Sequence, residues 1–334
     1  MSKPINQDLL CSTLIRSESS SSEPWCPSTK LALKLFLTVR LSAAVWSTVA
    51  DCDETFNYWE PMHFLLYGKG FQTWEYSPKY GLRSYLYILL HLLPAWLYDR
   101  IVSPHRMYVF YFVRCLLGCA CAASETYFVR GVRREYGPNV ARLALAFLLT
   151  SAGVFVASTA FLPSSSSMYL TLLSYGAWYN GDLELAVLFT AMSFFLSWPF
   201  AALVGLPIAL DIVFRRKRVV FFIRWCVIST VTILVPQIFL DSSFYGRIVA
   251  APFNIIAYNM LTSHGPDLYG TEPWHFYILN GILNFNVVFL LSLVAWPGMY
   301  SPFQNLVYRA GRLVIRKVLK TIIWGVPPAG GPLL

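Results

Sequence analysis

Charge is scarce in this chain. Asp, Glu, Lys and Arg together make up 13% of 334 residues, against about 25% in an average soluble domain. So few charges cannot cover a water-soluble core of this size. Apolar residues reach 56% and the mean hydropathy is +0.52, so the excess apolar side chains need lipid as their solvent. Acid is scarcer than base, 17 residues against 26. A nucleic-acid binder of net charge +9 would gather its bases on a folded patch with few apolar runs between them. Here the bases punctuate the apolar runs, as the positive-inside rule writes topology, and no nucleic-acid partner is expected. Cysteine is present seven times but makes no framework. Cys115, Cys119, Cys121 and Cys226 sit inside apolar runs, where free cysteine behaves as a small hydrophobe. Cys119 and Cys121 are too close in sequence for ordinary zinc-ligand spacing, and His63, His91, His105, His264 and His275 form no spaced motif. No metal and no cofactor are expected. Asn-X-Ser/Thr is absent, so no glycan acceptor marks a lumenal face.

What is present is a series of apolar runs. Residues 1–30 are polar and serine-rich and read as a disordered cytosolic tail. The chain opens without a basic n-region and an apolar h-region, so the run at 31–50 is expected to act as an uncleaved signal anchor. Lys30 and Lys34 then place the tail in the cytosol and residue 51 in the lumen. Further runs fall at 84–101, 107–129, 139–161, 166–180, 185–214, 219–240 and 278–297. The expectation is an all-α polytopic membrane protein with about 8 transmembrane helices and two large lumenal loops, 51–83 and 241–277. The two acid-rich stretches 51–80 and 241–277 hold 8 acids and 3 bases, and the rest of the chain holds 9 acids and 23 bases. Arg215-Arg216-Lys217-Arg218 is the strongest cytosolic marker. Arg130, Arg133 and Arg134 disagree, because this count puts them in the lumen. Either 84–101 does not cross fully, bent back at Pro94, or the rule fails there. Residues 31–297 form the membrane module, and 298–334 a basic amphipathic and Pro/Gly-rich tail, with 306–324 spaced for a cytosolic interfacial helix.

The stretch Asp51-Cys52-Asp53-Glu54-Thr55-Phe56-Asn57-Tyr58-Trp59-Glu60-Pro61 carries the chemistry. Acids crowded at a membrane boundary repel one another, which raises carboxyl pKa values, and a carboxylate so tuned serves as a general base. Phe56, Tyr58, Trp59, Trp74 and Tyr76 suit sugar stacking and suit an interfacial aromatic belt equally. Arg83 at the mouth of the next run suits a phosphate contact, or simple snorkelling to the interface.

The run Asp51–His91 (DCDETFNYWEPMHFLLYGKGFQTWEYSPKYGLRSYLYILLH) resembles glycosyltransferase family 22, membrane enzymes of the GT-C fold. The likeness continues in Phe161-Leu162-Pro163-Ser164-Ser165, in Asp241–Arg247, in Pro252-Phe253-Asn254-Ile255 and in HGPDLYGTEPWHFYILNGILNFN at 264–286, across about residues 31–290. Within the family it resembles the α-1,2-mannosyltransferases of dolichol-linked oligosaccharide assembly. The resemblance implies a multi-pass protein of the endoplasmic reticulum membrane with a lumenal active site. It implies dolichyl-phosphate-mannose as donor and a dolichyl-diphosphate-linked oligosaccharide as acceptor. It implies transfer with inversion at the sugar, without nucleotide or metal. The family's acidic pair maps onto Asp53 and Glu54, with Asp53 expected as base, then Glu54, then Asp51. Arg83, Arg247 and His275 are expected at the donor phosphate, and Trp59, Trp74, Glu75, Tyr245 and Trp274 along the sugar or lipid path.

The family's members are longer and carry a His-Lys-Glu-Glu-Arg-Phe-type segment that this chain lacks, so a shortened carboxyl end is expected. Two alternatives stand beside the leading reading. One is a mannosyltransferase of glycosylphosphatidylinositol assembly, whose His-Pro-Asp-Glu-type motif is replaced here by Asp51-Cys52-Asp53-Glu54. The other is a shortened form that binds substrate or partner without turnover.

Overall fold

The computed structural model describes residues 25–261 and 272–298. The expected tails at 1–24 and 299–334, including the amphipathic stretch 306–324, and the middle of the second loop at 262–271 lie outside the described residues. Contacts divide the chain into two units, Met1–Thr271 and Glu272–Leu334. The division falls inside the stretch expected as the second loop.

The described residues of the first unit are helical throughout, without strands. Helix α1 (Thr29–Trp46) starts where the Ser28 hydroxyl accepts from Leu31 N–H. Helix α2 (Glu60–Tyr67) stops at Gly68, whose φ of 69° is the left-handed conformation that ends helices. Then follow α3 (Tyr85–Val102), α4 (Arg106–Tyr136), α5 (Pro138–Thr150), α6 (Ala152–Ala157), α7 (Pro163–Asn180), α8 (Leu183–Met192), α9 (Leu206–Leu210), α10 (Val219–Tyr245) and α11 (Ala251–Leu261). The second unit contributes α12 (Trp274–Gly298), which kinks at Asn286, where φ is 52°. Among the described residues α4, α10 and Trp274–Leu293 of α12 are long and apolar enough to cross a membrane.

Every expected apolar run carries helix, but the runs and the helices do not correspond one to one. The 139–161 run divides at Ser151 into α5 and α6. The 185–214 run breaks at Trp198-Pro199, where proline follows an extended residue and tighter turns lead to α9. Nor are the two expected loops open. Half of 51–83 is helical, with turns over Cys52–Glu54 and Thr55–Trp59 leading straight into α2. In 241–277, residues 241–245 are the last turn of α10, and α11 follows.

Buried polar bonds set the direction of the helices. Arg40 on α1 lies against Glu125 on α4, with Nη2 to Oε1 at 2.6 Å and side chains 0% exposed. Arg114, at the start of α4, donates to the carbonyls of Ala44 (2.9 Å) and Ser47 (2.9 Å) at the end of α1. It satisfies carbonyls that a helix end leaves unpaired. The two helices are therefore antiparallel, and Ala32 packs in one cluster with Val132. Helices α4 and α7 approach closely at Gly131 and Gly176: a Cβ on Gly131 would stand 2.8 Å from the Gly176 carbonyl oxygen.

Both ends of α3 stay on the side where α1 ends. Its first turn meets Asp241, Tyr87 stacks near Tyr58, Asp99 accepts from Tyr67 on α2 (3.0 Å), and Tyr98 stacks on Phe112 at the start of α4. Helix α3 thus runs alongside α2 in the same direction, start beside start and end beside end. Arg130, Arg133 and Arg134 lie on the last turns of α4. Arg134 donates to the carbonyl of Asn180 at the end of α7 (2.5 Å), and Trp178 bonds Asp211, the partner of Arg215 and Arg216. These bases gather at the end where α1 begins. At the opposite end Arg83 joins Asp53, Glu75 and Tyr58, and the next residue, Ser84, bonds Asp241.

Candidate active site

Three acids crowd the turn after α1, and the fold gives each a different task. Asp51 is an N-cap: Oδ1 accepts from the backbone N–H of Asp53 (2.8 Å). Glu54 faces inward and is 3% exposed. Its Oε1 accepts from Trp59 Nε1 (2.9 Å) and from the backbone N–H of Phe161 (2.9 Å), tying the turn to a segment 107 residues later. The expectation that Glu54 stands second to Asp53 as a base meets a carboxylate already engaged and closed to an acceptor. Asp53 faces outward, as Asp51 does, with its side chain 55% exposed.

One residue that sequence reasoning left without a role, Asn57, organises the rest. It lies one helical turn beyond Asp53, and Nδ2 donates to Asp53 Oδ1 (3.2 Å) and Glu75 Oε1 (3.5 Å). Its own Oδ1 accepts from the Thr73 hydroxyl (2.6 Å), and its backbone carbonyl accepts from Tyr76 (2.6 Å). The four-residue spacing was the available signal.

Arg83 is the cation of the cluster. Nε donates to Glu75 Oε2, Nη1 to the Tyr58 hydroxyl (2.6 Å), and Nη2 reaches Asp53 Oδ2 at 3.5 Å. The first two bonds hold the guanidinium in place, and the third is long enough to yield to another anion. Tyr245 fixes the backbone: its hydroxyl donates to the Arg83 carbonyl (2.6 Å), and the residue is 4% exposed. Asp241, to which the sequence analysis gave no role beyond opening the Asp241–Arg247 motif, caps α3 from 157 residues away: Oδ1 accepts from the Ser84 hydroxyl (3.1 Å) and from Tyr85 N–H (2.8 Å) and Leu86 N–H (3.2 Å).

Burial raises the Asp53 carboxyl above the usual carboxylate range. Arg83 pulls against that, and Glu75 and Asp51 add to it. Burial also pushes Tyr58 up to about 12, so its hydroxyl stays a proton donor and acceptor. For Arg83 burial works downward, but Tyr58 and Glu75 outweigh it and hold the group charged.

The other expected residues separate. Trp59 packs inward on Phe110 and Phe161, at 4.6 and 5.0 Å between ring centroids. Trp74 is exposed and forms an aromatic group with Tyr80 and Tyr258. Arg247 is exposed and donates to the Lys79 carbonyl (3.1 Å), on the turn that leads to Arg83. Trp274 and His275 belong to the second unit, exposed at the start of α12. Ligand atoms of Asp51, Cys52 and Asp53 lie within 4.8 Å of one another. That grouping follows from the cap, and the three are exposed. Beside Arg83 a narrow cleft of about 30 Å³, room for a single water, runs between Tyr58, Ser84, Trp198 and Gln237.

Residues 31–326 match the model of the Alg9-like mannosyltransferase family. The alpha-1,2-mannosyltransferase ALG9 of Mus musculus is 50% identical over 281 residues, 84% of this chain and 46% of the mouse protein. The Drosophila melanogaster protein of that name is 47% identical over 276 residues, 83% and 44% of the two chains. The Saccharomyces cerevisiae protein is 34% identical over 296 residues, 82% and 53%. This chain therefore spans about half the length of the curated relatives it matches. No solved structure matches it. On the family match and these identities, the chain belongs to the Alg9-like mannosyltransferase family.

Proposed function

We propose that this chain carries the base and the donor-phosphate contact of an α-1,2-mannosyltransferase of lipid-linked oligosaccharide assembly. The observation that carries the reading is Asp53: a half-exposed carboxylate of raised pKa, held by Asn57, with an arginine 3.5 Å away. The reaction joins an acceptor hydroxyl to C1 of mannose borne on dolichyl phosphate. Asp53 takes the hydroxyl proton while the acceptor oxygen bonds C1 from the face opposite the phosphate. The C1–oxygen bond breaks, and its electron pair leaves on the phosphate. This is the single-carboxylate logic of inverting glycoside chemistry. The leaving phosphate needs a cation more than a proton; Arg83 Nη2 supplies it, with Arg247 on the neighbouring turn as a second contact.

The membrane arrangement belongs to the same proposal. The acid end faces the lumen of the endoplasmic reticulum and the basic end the cytosol. The chain crosses eight times in a GT-C-type fold. The crossings are α1, α4, α5 with α6, α7, Leu183–Ser197, Pro199–Arg215, α10 and α12, and α3 stays on the lumenal side. The separation of acids from bases supports this, since Arg130, Arg133 and Arg134 then obey the positive-inside rule.

Purified chain given dolichyl-phosphate-mannose and a dolichyl-diphosphate-linked oligosaccharide, with a full-length relative alongside, tests the reading. Mannose transfer that Asp53→Asn abolishes is expected. No transfer by the unmutated chain while the relative is active overturns it. Transfer to a glycosylphosphatidylinositol precursor in place of the oligosaccharide assigns the other branch of the same chemistry.

A further inference from the structure

Helix α10 turns a buried stripe toward the rest of the unit: Ser229, Ile233, Gln237, Asp241 and Tyr245, one residue every four. Tyr245 and Asp241 are accounted for by Arg83 and by the start of α3. Gln237, one turn below Asp241, is fully buried and half satisfied. Its Nε2 donates to the carbonyl of Phe195 (3.0 Å), at the end of the broken helix before Trp198-Pro199. That bond fixes the orientation of the amide, because a flipped side chain would set two oxygens against each other. Oε1 is therefore directed away from Phe195, and no protein donor meets it. An orphaned buried acceptor is a standing cost to the folded state, and Gln237 keeps that cost.

Its surroundings suggest what relieves it. Several buried side-chain atoms of the described residues lack partners: those of Arg40, Ser77, Ser193, Trp225, Ser229, Gln237 and Asp241. Only Gln237 lines the cleft that also holds Arg83. A cleft with room for one water takes one hydroxyl group and not a sugar ring. The ring that bears such a hydroxyl stays outside it, beside the guanidinium. Arg83 and Gln237 line the same cleft, whereas Asp53, which takes the acceptor proton in the proposed reaction, stands on the exposed side of the cluster.

We propose that Gln237 Oε1 accepts a hydrogen bond from a hydroxyl of the donor's mannose, making Gln237 a sugar-recognising residue of the donor site. The inference rests on the proposed function for the identity of the donor. Its consequence is that the chain distinguishes mannosylated lipid phosphate from the bare lipid phosphate even before transfer. A site that pairs a substrate hydroxyl rejects a ligand lacking it more strongly than its size alone requires.

Binding of dolichyl-phosphate-mannose and of dolichyl phosphate is measured on the detergent-purified full chain, unmutated and as Gln237→Met, which keeps the side-chain length and removes the acceptor. The unmutated chain is expected to bind the mannosylated lipid about tenfold more tightly than the bare lipid, on the order of one well-made hydrogen bond to a buried group. Gln237→Met is expected to erase that preference while leaving affinity for bare dolichyl phosphate within about twofold. A series of donors, each lacking one mannose hydroxyl, identifies the group: one deoxy donor binds the unmutated chain as weakly as bare lipid, and Gln237→Met no longer responds to its loss. Equal affinity for the two lipids in the unmutated chain overturns the inference. So does a preference that survives in Gln237→Met, which means that Oε1 holds a water only. Should Gln237→Met fail to fold, the deoxy series on the unmutated chain still decides, since no sensitivity to any single hydroxyl overturns it. Binding preference without transfer removes the proposed function and leaves this inference standing.

Discussion

Asp53 and Glu54 are neighbours in sequence with opposite surroundings, so their substitutions should fail in different ways. Asp53→Asn should abolish mannose transfer and leave the melting temperature unchanged or slightly higher. Folding raises the Asp53 pKa, so Asp53 favours the folded state only while protonated. That contribution is lost as pH rises through the folded pKa, and at neutral pH the ionised group adds nothing for asparagine to remove. The same direction sets the rate profile: transfer should fall on acidification at a pH above the ordinary carboxylate range, read as the acidic limb of kcat/KM against pH. Glu54→Leu should instead lower the yield of folded protein. It strands the Trp59 indole and Phe161 amide donors at about 1–3 kcal/mol each, and Glu54→Gln, which keeps an acceptor oxygen, should recover most of the loss by thermal denaturation. Chelation with EDTA should leave transfer unchanged; abolition would assign a metal to Asp51, Cys52 and Asp53. The acid cluster was legible because charge stands out against apolar sequence, and its spacing after α1 placed it at an interface. Which acid turns inward was not legible, since that depends on Phe161 arriving from elsewhere. Asn57 went unread because an asparagine among aromatics looks like any loop residue. Asp241 and Gln237 could have been found: polar residues four apart in an apolar run mark the face a helix turns inward.

At the scale of the helices, α1 and α4 are joined by a buried ion pair, which sets a testable asymmetry. Removing one partner leaves an uncompensated charge in an apolar interior, so Arg40→Met should cost about 3–5 kcal/mol by thermal or denaturant unfolding in detergent. The double variant Arg40→Met/Glu125→Leu should recover most of that loss, because two apolar side chains need no partner. The helix boundaries also show what apolar run length cannot reveal. The run at 84–101 has the length of a span, but α3 runs beside α2, tied to it by Asp99 and to the start of α4 by Tyr98. Its hydropathy describes how much of it is buried and not against what. The break at Trp198-Pro199 was foreshadowed by proline, whereas Ser151, which divides α5 from α6, has no comparable marker and ends α5 through an extended backbone.

For the whole first unit, opposite ends carry opposite character, and labelling can read the assignment. Cys52 is exposed at the acid end. In sealed microsomes of a variant keeping only Cys52, a membrane-impermeant maleimide should react only after the vesicles are opened. With Cys52 removed and Arg134→Cys introduced, labelling should occur in intact vesicles. The reverse pattern would invert the proposed orientation.

The remote cap on α3 has a consequence for synthesis. Ser84, Tyr85 and Leu86 wait for a carboxylate made 157 or fewer residues later, which at about 5–20 residues per second is roughly ten to thirty seconds of translation. During that interval the acidic turn, Arg83 and the first turn of α3 exist without the helix that fixes them. A nascent chain halted before α10 therefore has its base but no fixed place for its cation, and the active geometry is a late event in the protein's own assembly.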